Sequence, residues 1–166
     1  MENYIISNKT IAILKKDKKT FIYDVDNIRV INKNINKILE LNCYFYGIDL
    51  NLIKNYAKNI LNVSYKVPIY IKNDIILIQL CSLRNKECLI LNSNKIINYK
   101  LKNKTLEINC ENFKFSISIS KNILERMLLK TILLTNKINN KKSWILFKTK
   151  WFCVIIIYRY RCTWNI

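Results

Sequence analysis

Histidine is absent from this chain, and glycine and proline each occur only once among its 166 residues. Without histidine the chain has no imidazole base and no Ser-His or Cys-His nucleophile pair. A single glycine also excludes the loops that cradle phosphates, because a Cβ atom would obstruct the close approach of their backbone. The sequence therefore offers no catalytic site, and we predict that the protein is not an enzyme.

Metal sites and disulfides are disfavoured as well. Asp24 and Asp26 lie two apart in a predicted strand, so they would share a face and could hold a hard cation. Because Val25 separates them and no third carboxylate is near, a solvated strand face is the favoured interpretation. The cysteines contain no C-x-x-C pair, and there is no histidine to complete a zinc set. We expect reduced thiols, no metal and no cofactor; the cysteines are Cys43, Cys81, Cys88, Cys110, Cys153 and Cys162.

Positive charge is the strongest global feature, with a formal net charge of +18. Such a balance favours partners with dense negative charge, either nucleic acid or an anionic membrane surface. Isoleucine, lysine and asparagine make up nearly half of the residues, and their codons are A/U-rich. An A/T-rich genome would therefore raise the charge without any selection for binding. The N-terminus MENYIISNKT has no signal-peptide pattern, which predicts a cytoplasmic protein.

Periodicity predicts strands, then two helices, then strands and a final helix. Short β-branched or aromatic runs start at YIIS and continue through NIRVI. Helical spacing follows Asn34, a predicted N-cap, and stops before Gly47; a second helical pattern begins at Leu50. Strands return from VPIYI to FKFSISI, and SKNILERMLLKTILL is the clearest helix. This order predicts an α+β fold, a mostly antiparallel sheet with two short helices after the N-terminal strands and one longer helix near the C-terminus.

The chain changes character after Leu134. The segment TNKINNKKS is polar and linker-like, and the remainder is aromatic, β-branched and basic. Its longest apolar run, Trp151 to Tyr158, is far shorter than the roughly 20 residues of a membrane-spanning helix, so no integral membrane association is expected. We divide the chain into a domain of residues 1–135 and a basic, aromatic tail of residues 136–166. The tail could be a further strand, an interfacial segment or the product of a frameshift.

A candidate nucleic-acid site lies on the second predicted helix. Lys54 and Lys58 are four residues apart and share a face with Asn51 and Asn55; Lys66 follows in SYKVPI. Ammonium groups on such a face can contact phosphates, and asparagine amides can reach base edges. The alternative is an ordinary solvated helix face in a lysine-rich protein.

Several segments occur in an order that resembles the ComK family of competence transcription factors. They are CYFYG, then Lys54, then SYKVPIYI and IILIQL, and finally Glu87-Cys88. The resemblance spans roughly Tyr4 to Leu134. It places Gly47 at the end of a helix, where a residue in the left-handed region closes the helix without Cβ strain. We expect a replacement there to cost on the order of 1 kcal/mol.

The resemblance implies a DNA-binding activator of transcription, cytoplasmic and nucleoid-associated. Its partners would be A/T-rich double-stranded DNA, contacted through the backbone and the minor groove, further copies in a homo-oligomer, and the family's adaptor and protease regulators. The family's Ser-Ser after the glycine is replaced by Ile48 and Asp49, and its Gly-Arg-Lys by residues 52–54 (Leu-Ile-Lys). The lost arginine predicts weaker, more lysine-driven binding. Two alternatives are a degenerate paralogue that acts through protein contacts and a peripheral membrane protein that uses the tail.

Overall fold

A computed structural model describes residues 4–17 and 19–140. The described residues form nine strands and three α-helices in the predicted order, which confirms the α+β class. All of their strand pairs are antiparallel. The elements are β1 (Thr10–Lys16), β2 (Lys19–Asp24), β3 (Ile28–Ile31), α1 (Ile35–Phe45), α2 (Leu50–Leu61), β4 (Ile69–Lys72), β5 (Ile75–Gln79), β6 (Glu87–Asn92), a 3₁₀ turn (Ser93–Lys95), β7 (Ile96–Lys102), β8 (Thr105–Cys110), β9 (Lys114–Ile117) and α3 (121–140).

Six strands form one sheet in the order β3-β2-β1-β6-β5-β4, and the other three form a second sheet in the order β7-β8-β9. Strands β1 and β6 are therefore the centre of the larger sheet, where Ile13 pairs with both Ile22 and Ile90. The edges are β3 and β4. Strand β4 is the strand that the chain reaches directly after α2, so α2 and the loop that follows it lie near this edge.

The larger sheet is covered by a hydrophobic core on each face. On one face Ile13 and Ile90 pack with Leu39 of α1 in a cluster of buried residues. On the other face Leu91 packs with Leu124 of α3 in a second cluster that also includes the smaller sheet. Because both faces are covered, strands of the larger sheet have continuous apolar runs, such as IILI in β5, without the alternation of a one-sided sheet.

The prediction that YIIS, residues 4–7, forms a strand is wrong. These residues form no strand ladder. Asn42 of α1 takes the place of a neighbouring strand: its Oδ1 accepts from Ile6 N at 2.5 Å, and its Nδ2 donates to Tyr4 O at 3.0 Å. Tyr46 also donates its hydroxyl to Ile6 O at 2.7 Å. A four-residue apolar run has the same appearance in a sequence whether its backbone partners are main-chain or side-chain groups.

Both predicted ends of α1 are confirmed. Asn34 accepts from Asn36 N through its side chain, which satisfies one free donor of the first turn. At the other end Gly47 has φ of +69°, and its N–H donates to Tyr44 O at 2.9 Å. The next residue, Ile48, donates to Cys43 O at 2.8 Å, which completes a Schellman motif. No atom lies within 4 Å of a Cβ placed on Gly47, so the backbone conformation, and not crowding, favours glycine.

The chain divides into two compact units, Met1–Leu134 and Thr135–Ile166. Residues 141–166, which make up most of the predicted tail, lie outside the described residues, and so do the three interpretations of it. Over the described ranges, no helix has the length and apolarity needed to cross a membrane.

Candidate nucleic-acid interface

Helix α2, which carries four of the five predicted contact residues, begins at a cap that sequence reasoning missed. The Asp49 side chain accepts from the N–H groups of Asn51 and Leu52, each at 2.8 Å. Asp49 is therefore the N-cap of α2. An acidic residue directly before an apolar helical pattern is a known start signal. Because Asp49 caps the helix, α2 begins at Leu50, three residues after Gly47, and its polar face begins at Asn51.

The polar face of α2 contains Asn51, Asn55 and Lys58, with both asparagines exposed and Lys58 partly exposed. The opposite side of the helix is anchored by Leu50 and Ala57, which are buried. The predicted second helix is thus confirmed, and Asn51, Asn55 and Lys58 lie on one face of it. Two amides and one ammonium group lie along about two turns of a solvent-facing helix surface.

Lys54 is positioned less favourably than the sequence predicted. It lies one turn after buried Leu50, so its stem packs toward the core side of α2 and it is only partly exposed. Burial lowers the pKa of Lys54, and the Lys58 ammonium lowers it further, while the Cys43 thiol and the Glu40 carboxylate oppose this. Lys54 therefore has less freedom than Lys58 to meet a phosphate.

Lys66, the fifth predicted residue, lies in the loop between α2 and β4. It is exposed, and its backbone has φ of +43°, the left-handed region that side chains with a Cβ rarely adopt. Its carbonyl oxygen accepts from Lys130 Nζ of α3 at 2.8 Å, and Tyr65 O accepts from the same ammonium at 3.3 Å. The Lys130 ammonium also lies 5.4 Å from the centre of the Tyr65 ring.

Lys66, Arg126 and Lys130 form what we call the cationic cluster. Arg126 lies one turn before Lys130 on α3, and Lys130 reaches the Lys66 carbonyl. Burial lowers the pKa of Lys130, and the charges of Arg126 and Lys66 lower it further. Arg126 is exposed, and its Nε donates to Asn122 O at 3.3 Å. Sequence reasoning missed Arg126 and Lys130 because they meet the loop across more than 50 residues, and no spacing rule connects the two segments.

Carboxylates neutralise many cations of this protein but not this cluster. Among the described residues, no salt bridge involves Lys58 or any member of the cationic cluster. The paired residues are Lys9–Asp26, Lys16–Glu87, Arg29–Asp24, Lys37–Glu40, Lys95–Glu111, Lys100–Glu107, Lys114–Glu107 and Lys121–Glu125. Three like charges without a counter-ion repel one another, and a polyanion would relieve that repulsion.

A family model described as ComK protein matches residues 1–143 of the chain. The chain belongs to the ComK family. Searches of the curated proteins and of the solved structures gave no significant match. The match covers the cationic cluster and all five predicted contact residues, and it extends to both sides of the Tyr4–Leu134 span in which the sequence showed the resemblance. The chain is accordingly a member of a family of competence transcription factors, which are regulators of transcription and not enzymes.

Arg29 and Asp24 of this ComK-family chain take part in internal structure. Asp24 is buried and accepts from the Tyr4 hydroxyl. Its other oxygen lies 3.8 Å from Arg29 Nε, and the Arg29 guanidinium lies 5.7 Å from the Tyr4 ring. The predicted solvated face is therefore wrong for Asp24, whereas Asp26 is exposed and pairs with Lys9 at 2.8 Å. In the described part of the chain, no group of acidic and cysteine residues is suited to a metal ion.

The predicted contacts of the ComK-family chain fall into two groups. Asn51, Asn55 and Lys58, with Lys54 at their border, form the face of α2. Lys66 belongs instead to the cationic cluster with α3. The contacts described above join Lys54 to Lys58 and Lys66 to Lys130, but none of them joins the two groups directly.

Proposed function

We propose that this chain is a DNA-binding transcriptional regulator that contacts A/T-rich double-stranded DNA, mainly through the phosphate backbone and the minor groove. The observation that carries the proposal is the cationic cluster of Lys66, Arg126 and Lys130, which has no carboxylate partner among the described residues. We assign DNA binding to the domain of residues 1–135 and the action itself to the cytoplasmic nucleoid.

Each group of contacts has a distinct role in this proposal. Lys58 and Lys66 meet phosphates, and the exposed amides of Asn51 and Asn55 reach sugar or base edges. Lys54 adds long-range charge. Arg126 supplies the guanidinium that narrow A/T-rich minor grooves attract, because guanidinium gives up water more easily than ammonium does. With one arginine in the cluster, most of the affinity is electrostatic and independent of fine sequence.

Binding of fluorescent A/T-rich and G/C-rich duplexes of equal length, measured across a salt series, tests this function. We expect tighter binding to the A/T-rich duplex, with log K falling against log salt by about 0.9 per phosphate contacted. Equal affinity for the two duplexes at every salt concentration would contradict the minor-groove part of the proposal. No salt-dependent binding to either duplex would contradict DNA binding itself.

The strained backbone of Lys66 gives a second test, which separates stability from function. Lys66→Gly should raise the free energy of unfolding by about 0.5 to 1 kcal/mol, because glycine adopts positive φ without Cβ strain. The carbonyl that accepts from Lys130 is retained. Removal of the ammonium should nonetheless weaken duplex binding by roughly fivefold. Urea denaturation and fluorescence anisotropy measure the two effects.

Lys104→Gly is the matched control for this test. Lys104 has φ of +63° in the turn between β7 and β8 and carries the same charge. Its replacement should stabilise the protein by a similar amount and leave duplex affinity unchanged. If Lys66→Gly and Lys104→Gly weakened binding equally, Lys66 would have no particular role in the interface.

A second candidate function, action through protein contacts, is favoured by edge strand β3. Ile28 and Val30 of this strand are 51% and 54% exposed, and among the described strands it pairs only with β2. An exposed apolar edge can accept a strand from another chain, including a second copy in a homo-oligomer or one of the family's adaptor and protease regulators. A chain that self-associates but binds neither duplex would support this function over DNA binding.

A further inference from the structure

Two cysteines lie opposite each other just beyond the last residue pair that joins strands β5 and β6. Gln79 pairs with Ile90, so two residues forward from Gln79 and two back from Ile90 place Cys81 opposite Cys88. The intervening pair is joined by a backbone hydrogen bond of 3.2 Å, which shows that the alignment continues past the end of β5. Opposed residues of antiparallel strands have Cα atoms roughly 4.5–5.5 Å apart, within the span of about 4.4–6.8 Å that a disulfide bridges.

Cys81 is surrounded by groups that favour its thiolate. The neighbouring Cys88 thiol is the main reason that the pKa of Cys81 is lowered, and when protonated the Cys81 thiol donates to Glu87 O at 3.7 Å. Leu89 N–H donates to the same sulfur at 3.2 Å, and the Lys66 ammonium lowers the pKa further, while burial and the Glu87 carboxylate oppose the shift. A thiolate is the form of cysteine that attacks electrophiles.

Cys88 has the complementary properties. It is fully buried, and its thiol donates to Cys81 O at 3.4 Å. The neighbouring Cys81 thiol and burial both raise the pKa of Cys88. A cavity of about 470 Å³ is lined by both cysteines together with Lys16, Lys114 and Ser116, and Cys81 is partly exposed. A small polar oxidant can therefore reach Cys81 before Cys88.

The other two described cysteines lack these features. Cys43 and Cys110 are buried, and burial raises the pKa of each thiol to about 11. Neither has a second cysteine opposite it in a strand pair. They serve as internal references for the reactivity of Cys81.

We propose that Cys81 and Cys88 are a peroxide-reactive dithiol that converts reversibly to a disulfide. The Cys81 thiolate attacks one oxygen of hydrogen peroxide; an S–O bond forms, the O–O bond breaks, and the hydroxide that leaves takes a proton to become water. The Cys88 sulfur then attacks the Cys81 sulfenic acid. An S–S bond forms, the S–O bond breaks, and the Cys88 proton departs with the hydroxide as a second water. The two thiols together lose two electrons to one peroxide, and an external dithiol returns them.

The test treats the full chain with limiting hydrogen peroxide, blocks free thiols with N-ethylmaleimide and locates each modification by peptide mass spectrometry. We expect a Cys81–Cys88 disulfide as the first product, removed by dithiothreitol, with Cys43 and Cys110 still blocked as free thiols. In Cys88→Ser, a sulfenic acid that reacts with dimedone should accumulate at Cys81. In Cys81→Ser, neither product should form at Cys88.

Several results would overturn the proposal. They are oxidation of Cys43, Cys81 and Cys110 at equal rates, a first disulfide that does not join Cys81 to Cys88, or no Cys81 sulfenic acid in a folded Cys88→Ser chain. If that variant does not fold, limiting iodoacetamide on the unmodified chain decides the matter. We expect Cys81 to be alkylated at least about tenfold faster than Cys43, and equal rates would contradict the assigned roles. None of these readouts depends on DNA binding.

Discussion

Reversing the charge of the cationic cluster, with Lys66→Glu, Arg126→Glu and Lys130→Glu together, is expected to weaken binding to A/T-rich duplex on the order of a hundredfold at moderate salt. The substitutions remove three cations from the proposed interface and replace them with groups that phosphates repel. The slope of log K against log salt should also become shallower, by about 0.9 for each phosphate that the protein no longer neutralises. Fluorescence anisotropy across a salt series measures both quantities.

The control applies an equal charge change to three lysines outside the cluster. Lys86, Lys102 and Lys104 are exposed and form none of the salt bridges given above, and their replacement by glutamate gives the same net charge as the cluster variant. If binding depends on the cluster, this control should weaken it only slightly. An equal weakening in the two variants would show that overall charge, and not the cluster, attracts DNA.

The Asn42→Ala change is expected to lower the free energy of unfolding by about 3 kcal/mol. Asn42 is buried and makes three hydrogen bonds: with Ile6 N, with Tyr4 O, and from Nδ2 to Ile38 O at 2.8 Å. Removing each bond costs about 1 kcal/mol, and the Ile6 N–H is left buried without its acceptor. The N-terminal segment would then keep only the Tyr46 hydrogen bond to α1 and its end. Urea denaturation monitored by circular dichroism measures the change.

Asn36→Ala on the same helix is the comparison. Asn36 is exposed, and only its main-chain N–H takes part in the cap formed by Asn34, so alanine should change stability by less than about 0.5 kcal/mol. A destabilisation in Asn42→Ala no larger than in Asn36→Ala would show that the N-terminal segment does not depend on this side chain.

Local chemistry made much of the fold predictable. The cap at Asn34 and the left-handed residue at Gly47 each depend on neighbours within a few residues, and the structure confirms both. The order of strands and helices gave the α+β class for the same reason. The polar face of α2 followed from helical spacing alone.

Long-range contacts explain what could not be predicted. Lys130 reaches the loop at Lys66 only after the chain has passed through six strands, and Asp24 is buried because Tyr4 and Arg29 enclose it. The partial burial of Lys54 depends on how far α2 is rotated against the sheet, which spacing fixes only to within one residue. Sequence patterns indicate which face of an element is polar but not which other segment covers it.

The six-stranded sheet separates two hydrophobic cores and forms part of both, so the unfolding of the two cores is coupled. Neither the pair α1 and α2 nor the smaller sheet with α3 has an interior of its own; each obtains one only from its side of β1 and β6. If the helices on one face, or the smaller sheet and α3 on the other, separate from the six-stranded sheet, that face of the sheet is exposed to water. The core on the opposite face is then destabilised as well. Residues 10–134 should therefore unfold in a single cooperative step, and a destabilising substitution in one core should also lower the stability of the other.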